Sequence, residues 1–274
     1  MIKRETYLRR IRPFIGGDLV KVMTGMRRSG KSVMLELIKE ELVSQGVDPR
    51  QFIALNFEDM RYTHLLTAQA LHDEILQRKE GMHGKVYLFF DEIQEAPRAL
   101  ESLKYFCENA PEYAVVAAGS LLGVAIHEGV SYPVGKVDTV DLHPMSFREF
   151  LEAMGEGALA NIITSKNYPL MSDCSSKYIF WLKNYYYVGG MPEIVQYFAE
   201  HKNYQEVRRM QKSILDQYED DFGKHASSAD LARIRMVWNS IPMQLAKENK
   251  KFFFGQIKTG ARMKDFEIAI EWLV

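Results

Sequence analysis

Short apolar runs alternate with stretches of helical periodicity over the first half of this chain. Apolar residues recur at helical spacing after residue 32, as at Met34, Leu37 and Ile38. Strand followed by helix, repeated along a chain, is typical of a parallel sheet with helices on both faces. The pattern therefore predicts an α/β fold with strands at 18–24, 51–57, 86–90, 113–118 and 135–142, and helices at 6–15, 33–43, 68–77 and 99–109.

The pattern becomes largely helical from Pro144 onward. We predict helices at 146–154, 178–188, 194–198 and 206–218. The last segment has a helix from Asp230, an extended stretch at 252–254, a short helix, a turn at 259–260, and a helix from Met263, which is the order of a winged helix-turn-helix. The prediction is a core at 1–144, a helical lid at 145–224 and a partial winged helix at 225–274.

Residues 25–32 fit the pattern G-x-x-x-x-G-K-[ST] between a predicted strand and a predicted helix. Glycines in such a loop let backbone N–H groups surround phosphate oxygens, and the next helix directs its positive end at them. Lys31 is expected to reach the β- and γ-phosphates, and Ser32 to ligate Mg²⁺. The alternative is a glycine-rich turn before an ordinary helix. The predicted nucleotide-binding residues are Gly25, Arg28, Ser29, Gly30, Lys31 and Ser32.

The apolar run 86–90 ends in two acids, Asp91 and Glu92. Ligands of an open α/β sheet bind at the carboxyl ends of its strands. We expect Asp91 to hold Mg²⁺ through water, and Glu92 to orient the attacking water or accept its proton. This second acid favours hydrolysis over phosphotransfer, because a kinase must keep water out. The alternative for Glu92 is an acid that serves a helix dipole.

Ser120 follows the fourth predicted strand. A polar residue there is expected to sense the γ-phosphate or position the water, and the alternative is a helix N-cap. The aromatic segment 178–188, with Trp181, Tyr185, Tyr186 and Tyr187, is predicted to be core and not a platform for stacked bases. The N-terminal helix has two open interpretations, a cover for the nucleotide base or a packing helix.

The composition and charge of the chain bear on whether it binds nucleic acid or a membrane. The net charge of the 274 residues is −1, so no overall field attracts nucleic acid. The predicted final helix has more acids than cations, so DNA binding is expected to be weak and to come from the basic N-terminus. No apolar stretch approaches the roughly 18 residues that span a bilayer, and the N-terminus is too polar for a signal peptide. Cys107 and Cys174 show no metal spacing and are expected to be free thiols. These observations predict a cytoplasmic protein that does not bind a membrane. The N-terminal cations are Arg4, Arg9, Arg10 and Arg12.

Several motifs together resemble a family of prokaryotic ATP-binding proteins of the AAA superfamily that carry a C-terminal domain of unknown function. The resemblance implies a P-loop NTPase sheet of AAA type, a helical lid, a winged helix and a further nuclease-like domain. Because the last amphipathic helix runs to Val274 without a cap, we expect the chain to be truncated before that domain. The motifs lie at 25–32, 56–59, 90–94, 118–120, 142–150 and 189–193.

One position departs from the related ATPases. They often carry Gly-Arg before the fifth strand, where the arginine is a candidate for stabilising charge in a neighbouring subunit. Here the pair is Gly135-Lys136. Lysine is a point charge without the planar fork of arginine, which weakens the case for that role.

The leading hypothesis is an ATPase that uses ATP and Mg²⁺, with Glu92 as base and Lys31 and Ser120 as further catalytic residues. The alternative is a slow, ATP-dependent regulatory switch whose output is the binding of a protein partner, a second copy or DNA. A third hypothesis is a remnant that binds nucleotide weakly. Steady-state turnover with and without DNA separates the first two.

Overall fold

Contacts divide the protein into two compact units, Met1–Lys202 and Asn203–Val274. The predicted end of the helical lid, at residue 224, does not coincide with this division between the units, and the lid stays a prediction. The computed structural model describes residues 1–12, 20–65, 67–96, 102–103, 105–106, 108–110, 112–120, 137–247 and 251–273.

Five parallel strands form one sheet in the first unit, in the order β2-β3-β4-β1-β5. Every residue of β4 is buried, as expected of a central strand whose two faces are both covered. The predicted α/β fold with a parallel sheet is confirmed. Positions 18–19 and 135–136, which were predicted to open β1 and β5, lie outside the described residues. The strands are β1 (Val20–Thr24), β2 (Phe52–Asn56), β3 (Val86–Asp91), β4 (Tyr113–Ala118) and β5 (Val137–Asp141).

Helices cover the sheet and continue after β5. The helix predicted at 99–109 is helical at its described positions 102, 103, 105, 106, 108 and 109. The helix predicted at 194–198 starts earlier, because proline is tolerated in a first helical turn. The helices of this unit are α1 (Glu5–Ile11), α2 (Lys31–Ser44), α3 (Ala68–Lys79), α4 (Phe147–Ala153), α5 (Gly157–Thr164), α6 (Tyr168–Asp173), α7 (Ser175–Val188) and α8 (Pro192–His201).

The aromatic segment is only partly core, which corrects the prediction. Trp181 and Tyr185 are half-buried, whereas Tyr186 is 76% exposed and Tyr187 is 47% exposed. Successive residues of a helix are about 100° apart, so three consecutive tyrosines cannot all face one side. α7 buries the stripe that holds Val188, and the last two tyrosines lie outside it.

α1 packs on the sheet through Tyr7, Leu8 and Ile11, which are buried in the same cluster as Met23 of β1. It therefore acts as a packing helix. The residues before it are the ones that approach the loop at 25–30, as described below.

Arg4 is 3% exposed and connects three segments of the chain. Its Nε and Nη2 donate to the two carboxylate oxygens of Glu149, at 2.9 and 3.2 Å. Its Nη1 donates to the carbonyl oxygens of Ser29, at 3.1 Å, and His143, at 2.8 Å. Glu149 also accepts hydrogen bonds from the backbone and hydroxyl of Ser146 in a capping box at the start of α4.

Arg4 is withdrawn from the basic surface that was expected to meet DNA, whereas Arg9, Arg10 and Arg12 are exposed. Arg4 is buried against Glu149, and Arg9 and Arg12 pair with Glu5. Arg12 also pairs with Glu41. Acids therefore neutralise most of this positive charge within the first unit.

The second unit is helical and has its own core of Phe222, Ile234, Val237, Phe266 and Ala269. Its described residues contain no strand, and the partial winged helix-turn-helix stays a prediction. The expected extended stretch at 252–254 leads into a 3₁₀ turn, and the last helix starts four residues later than predicted. The elements are α9 (Tyr204–His225), α10 (Ser228–Leu245), α11 (Glu267–Leu273) and 3₁₀ turns at Phe254–Gln256 and Met263–Asp265.

Gly190 is required by a close backbone approach, and its replacement should destabilise the first unit. A Cβ at this position would lie 2.4 Å from the carbonyl oxygen of Met145. We expect Gly190→Ala to lower the free energy of unfolding by more than about 2 kcal/mol, measured by urea denaturation. Gly157→Ala is the control, because nothing lies within 4 Å of its Cβ and it begins α5. Equal unfolding curves for the two variants would contradict the close approach.

The Arg4–Glu149 pair should make stability depend on pH. Burial disfavours the charge of Glu149, but hydrogen bonds from Arg4 and Ser146 outweigh it and hold the carboxyl pKa below its ordinary 4.5. A lowered folded-state pKa means that the ionised form stabilises the fold above the unfolded-state pKa, and that this stability is lost as the pH falls through the folded-state pKa.

Glu149→Gln should therefore lower the melting temperature near neutral pH, and the gap from the parent should close as the pH falls below 4.5. Glu152→Gln on the same helix is the control, because its pair with Arg148 is partly exposed and contributes little. A gap that stays constant down to strong acid would show that the charge of Glu149 is not the cause.

Candidate nucleotide site

The loop between β1 and α2 is curled by three residues with positive φ, namely Gly25 at 124°, Arg28 at 62° and Gly30 at 95°. A Cβ on Gly25 would lie 2.2 Å from the carbonyl oxygen of Leu142, so only glycine fits. Gly30 caps α2 without a side-chain hydrogen bond. The first N–H groups of α2 thus have no side-chain acceptor from that cap, which leaves them suited to an anion.

Lys31 begins α2 and is almost fully buried. Its Nζ donates to the carbonyl oxygens of Gly25 and Met26, both at 2.8 Å. Burial lowers the pKa of Lys31, and the charges of Glu92 and Asp91 partly oppose that effect. The negative charges of the two acids therefore do not fully offset the effect of burial on the Lys31 ammonium.

Ser32 and Asp91 lie together at the edge of the sheet. The Ser32 side chain hydrogen-bonds the Asp91 carboxylate at the end of β3. Burial raises the pKa of Asp91, and the neighbouring charge of Glu92 adds to the rise. A hydroxyl beside a carboxylate is an oxygen donor set that suits Mg²⁺, which keeps waters and binds through few protein ligands.

The charges of this site fit a metal–triphosphate. The ammonium of Lys31 and the carboxylate of Asp91 both have pKa values shifted toward loss of charge, chiefly by burial. A polyphosphate supplies negative charge to the first, and a divalent cation supplies positive charge to the second. No described residues form a cluster of three or more His, Cys, Asp or Glu side chains arranged to hold a metal by themselves.

Glu92 and Ser120 are in contact, which the sequence did not show. Ser120 Oγ donates to Glu92 Oε2 at 3.2 Å across the ends of β3 and β4. Glu92 has φ of 49° and makes no side-chain cap for the 3₁₀ turn Ile93–Glu95, so the helix-end alternative has no hydrogen bond in its favour. The N-cap alternative for Ser120 falls on residues outside the described ranges.

Two further groups were missed by reasoning from the sequence. Gln94 Nε2 donates to Glu92 Oε2 at 2.6 Å. Arg27 Nη2 contacts Glu58 Oε1 at 3.4 Å, and burial together with the charge of Glu92 raises the pKa of Glu58. Gln94 and Glu58 both belong to motifs that carried the family resemblance, but a motif alone assigns no contact.

A cavity of about 350 Å³ lies beside the loop. α8 forms one side of it, and Arg28 Nη1 donates to Glu193 Oε2 at 2.8 Å between the loop and α8. Ile2 and Arg4, before α1, also line it, so the residues preceding the helix adjoin the site and the helix does not. Charged and polar side chains line part of the cavity, among them Lys31 and Glu92. Its aliphatic lining side chains are Ile2, Val33, Met34, Leu37 and Pro192.

Other predicted residues contribute less. Arg28 is half-exposed and reaches Glu193, and the Ser29 hydroxyl is buried with no hydrogen-bond partner among the described residues. Cys174 is a free cysteine. Lys136 and Cys107 lie outside the described residues. No helix in the described ranges is both long and apolar enough to cross a bilayer.

Comparisons with known proteins match two parts of the chain. A family model described as an AAA domain matches residues 18–151, and a model for a domain of unknown function, DUF8612, matches residues 179–274. An uncharacterised protein of Haemophilus influenzae is 30% identical over 165 residues, which cover 60% of this chain and 40% of that relative.

A solved structure has a similar fold. A Walker-type ATPase of Pyrococcus abyssi superposes with a TM-score of 0.54 at 14% identity, covering 99% of this chain and 89% of that one. At this identity the likeness concerns the fold alone. Residues 18–151 match the AAA-domain model, and the parallel α/β sheet of the first unit has the fold of P-loop ATPases.

Proposed function

We propose that the protein binds ATP with Mg²⁺ and hydrolyses it. The observation that carries this proposal is the position of Glu92, whose carboxylate lies near Lys31 and beside Asp91 and is held by Ser120. A carboxylate so placed suits a base for water at the end of a bound triphosphate.

In the proposed complex, backbone N–H groups of residues 25–32 and the amino end of α2 hold the phosphate oxygens. The Lys31 ammonium leaves the carbonyl oxygens of Gly25 and Met26 for the β- and γ-phosphates. The aliphatic side of the cavity beside the loop accommodates the adenine ring, against Val33, Leu37 and Pro192. The adenine identity is part of the proposal.

Water then attacks the γ-phosphorus in line with the leaving oxygen, and Glu92 accepts the proton of that water. Lys31 and the loop amides stabilise the negative charge of the transition state. Ser32 and Asp91 would hold Mg²⁺, which neutralises charge on the β- and γ-phosphates when bound. Ser120 keeps the carboxylate of Glu92 in place through Oε2.

The regulatory switch has one observation in its favour. The ion pair between Arg28 and Glu193 connects the loop to α8, and Pro192 lies 3.5 Å from where a Cβ of Gly30 would be. Phosphates that attract Arg28 would weaken this connection. Turnover so slow that the ATP form accumulates would favour a switch, with a partner protein, a second copy or DNA as its target.

Lys31→Ala should weaken Mg·ATP binding about 10²-fold, because it removes a cation that makes charge-assisted hydrogen bonds to phosphate. Isothermal titration calorimetry gives the dissociation constant. Lys39→Ala, on the same helix but paired with Glu36, is the control and should bind as the parent does. Equal affinity for the Lys31 variant and the parent would refute the nucleotide site.

Glu92→Gln should bind Mg·ATP normally and hydrolyse it at least about 10²-fold more slowly, the scale of a lost general base. Phosphate release under saturating ATP measures kcat. Glu95→Gln is the matched control, since Glu95 is exposed on the same turn. If Glu92→Gln turned over at the parental rate, Glu92 would not be the base.

A further inference from the structure

We propose that Gln94 is a positioning residue for the reaction: its amide fixes one carboxylate oxygen of Glu92 and leaves the other to accept the proton of water. This inference rests on the proposed hydrolysis with Glu92 as base. It assigns a role to a side chain that never needs to touch the substrate.

The contact is short and partly buried. Gln94 is 8% exposed, and its Nε2 donates to Glu92 Oε2 at 2.6 Å. Ser120 donates to the same oxygen at 3.2 Å. Of the hydrogen bonds between described residues, none ends on Glu92 Oε1. Two donors therefore occupy Oε2, and Oε1 is the atom available to the water.

The local backbone is shaped to make this contact. Side chains two residues apart diverge in a regular helix. Glu92 instead adopts a left-handed conformation, with φ of 49° and ψ of 45°, immediately before the 3₁₀ turn Ile93–Glu95. Ile93 and Ala96 are fully buried and anchor that turn in the core. A left-handed conformation is unfavourable for a residue with a Cβ, and such conformations concentrate at functional sites.

The amide has one partner that fixes its direction. Turning it over would place its oxygen against Glu92 Oε2, acceptor against acceptor, at 2.6 Å. Gln94 Oε1 is buried and has no hydrogen-bond partner among the described residues. Buried polar groups are usually satisfied on both sides. The Gln94 amide makes a hydrogen bond only through its donor, and the acceptor of that bond is Glu92. We therefore assign the amide to holding Glu92 and not to satisfying polar groups of the turn.

Gln94→Leu removes the donor and keeps the volume. We expect kcat to fall about 10-fold to 10²-fold, because a misplaced catalytic group costs rate, while the dissociation constant for Mg·ATP stays at the parental value. Gln69→Leu is the matched control, because Gln69 Nε2 also donates to a carboxylate, that of Asp73, at 2.8 Å on the exposed face of α3. It should leave both constants unchanged.

Gln94→Glu adds a readout that packing alone would not move. A carboxyl group there faces the carboxylate of Glu92, and two such groups share one proton at lower pH. The protonated pair restores a donor to Oε2, whereas the doubly ionised pair repels. We expect kcat of this variant to fall as the pH rises over a range in which the kcat of the parent does not fall.

The outcomes separate this inference from the function beneath it. An active parent with Gln94→Leu at parental kcat would overturn the role of Gln94 and leave the ATPase standing. A parent without turnover would overturn the proposed hydrolysis, and this inference with it. Weaker Mg·ATP binding that accounts for the whole loss in Gln94→Leu, or a parental pH profile in Gln94→Glu, would show a structural residue and overturn the inference.

Discussion

The backbone ladders of β4 hold β1 on one side and β3 on the other, with Met23 opposite Ala118 and Phe90 opposite Ala117. All three strands run in the same direction, so their carboxyl ends meet at one edge of the sheet. The loop that precedes Lys31 leaves β1 there, Asp91 ends β3 there, and Ser120 follows β4 there. The contacts of Ser32 with Asp91 and of Ser120 with Glu92 depend on this parallel register.

The same edge holds charges that the fold does not satisfy by itself. Burial lowers the pKa of Lys31 and raises that of Asp91, so each group has a smaller preference for its charged form than it would have in water. Functional sites commonly retain such unfavourable features, at a cost in stability that the rest of the fold offsets. Here the two shifts have opposite electrical sign, and a metal–triphosphate complements both.

Arg4 provides the structural counterpart of that arrangement. Its guanidinium is paired with Glu149 and binds the carbonyl oxygen of Ser29 within the loop. A buried arginine with a bidentate carboxylate and two carbonyl acceptors has nearly all its donors satisfied. Arg4 thus connects the loop to the N-terminus and to α4, beside the cavity that Arg4 also lines.

The sequence by itself determined the α/β class, the strands of the sheet, the glycine-rich loop at 25–32 and the pair Asp91–Glu92. These follow from short-range signals, namely apolar periodicity, glycine spacing and acids after a buried strand. Each of these signals describes one helix or strand and the turn next to it. They misjudged Tyr186 and Tyr187, because periodicity does not show which stripe of a helix has a neighbour to pack on.

Only the tertiary structure decided which distant side chains meet. It placed Ser120 and Gln94 on one oxygen of Glu92, Arg28 on Glu193, and Arg4 in the core instead of on a DNA-facing surface. Most of these pairs are separated by tens to more than a hundred positions along the chain, and Glu92 meets Gln94 only because the backbone turns left-handed between β3 and the next turn. Parallel pairing of strands brings such groups together across long connections, and no local pattern of residues records that geometry.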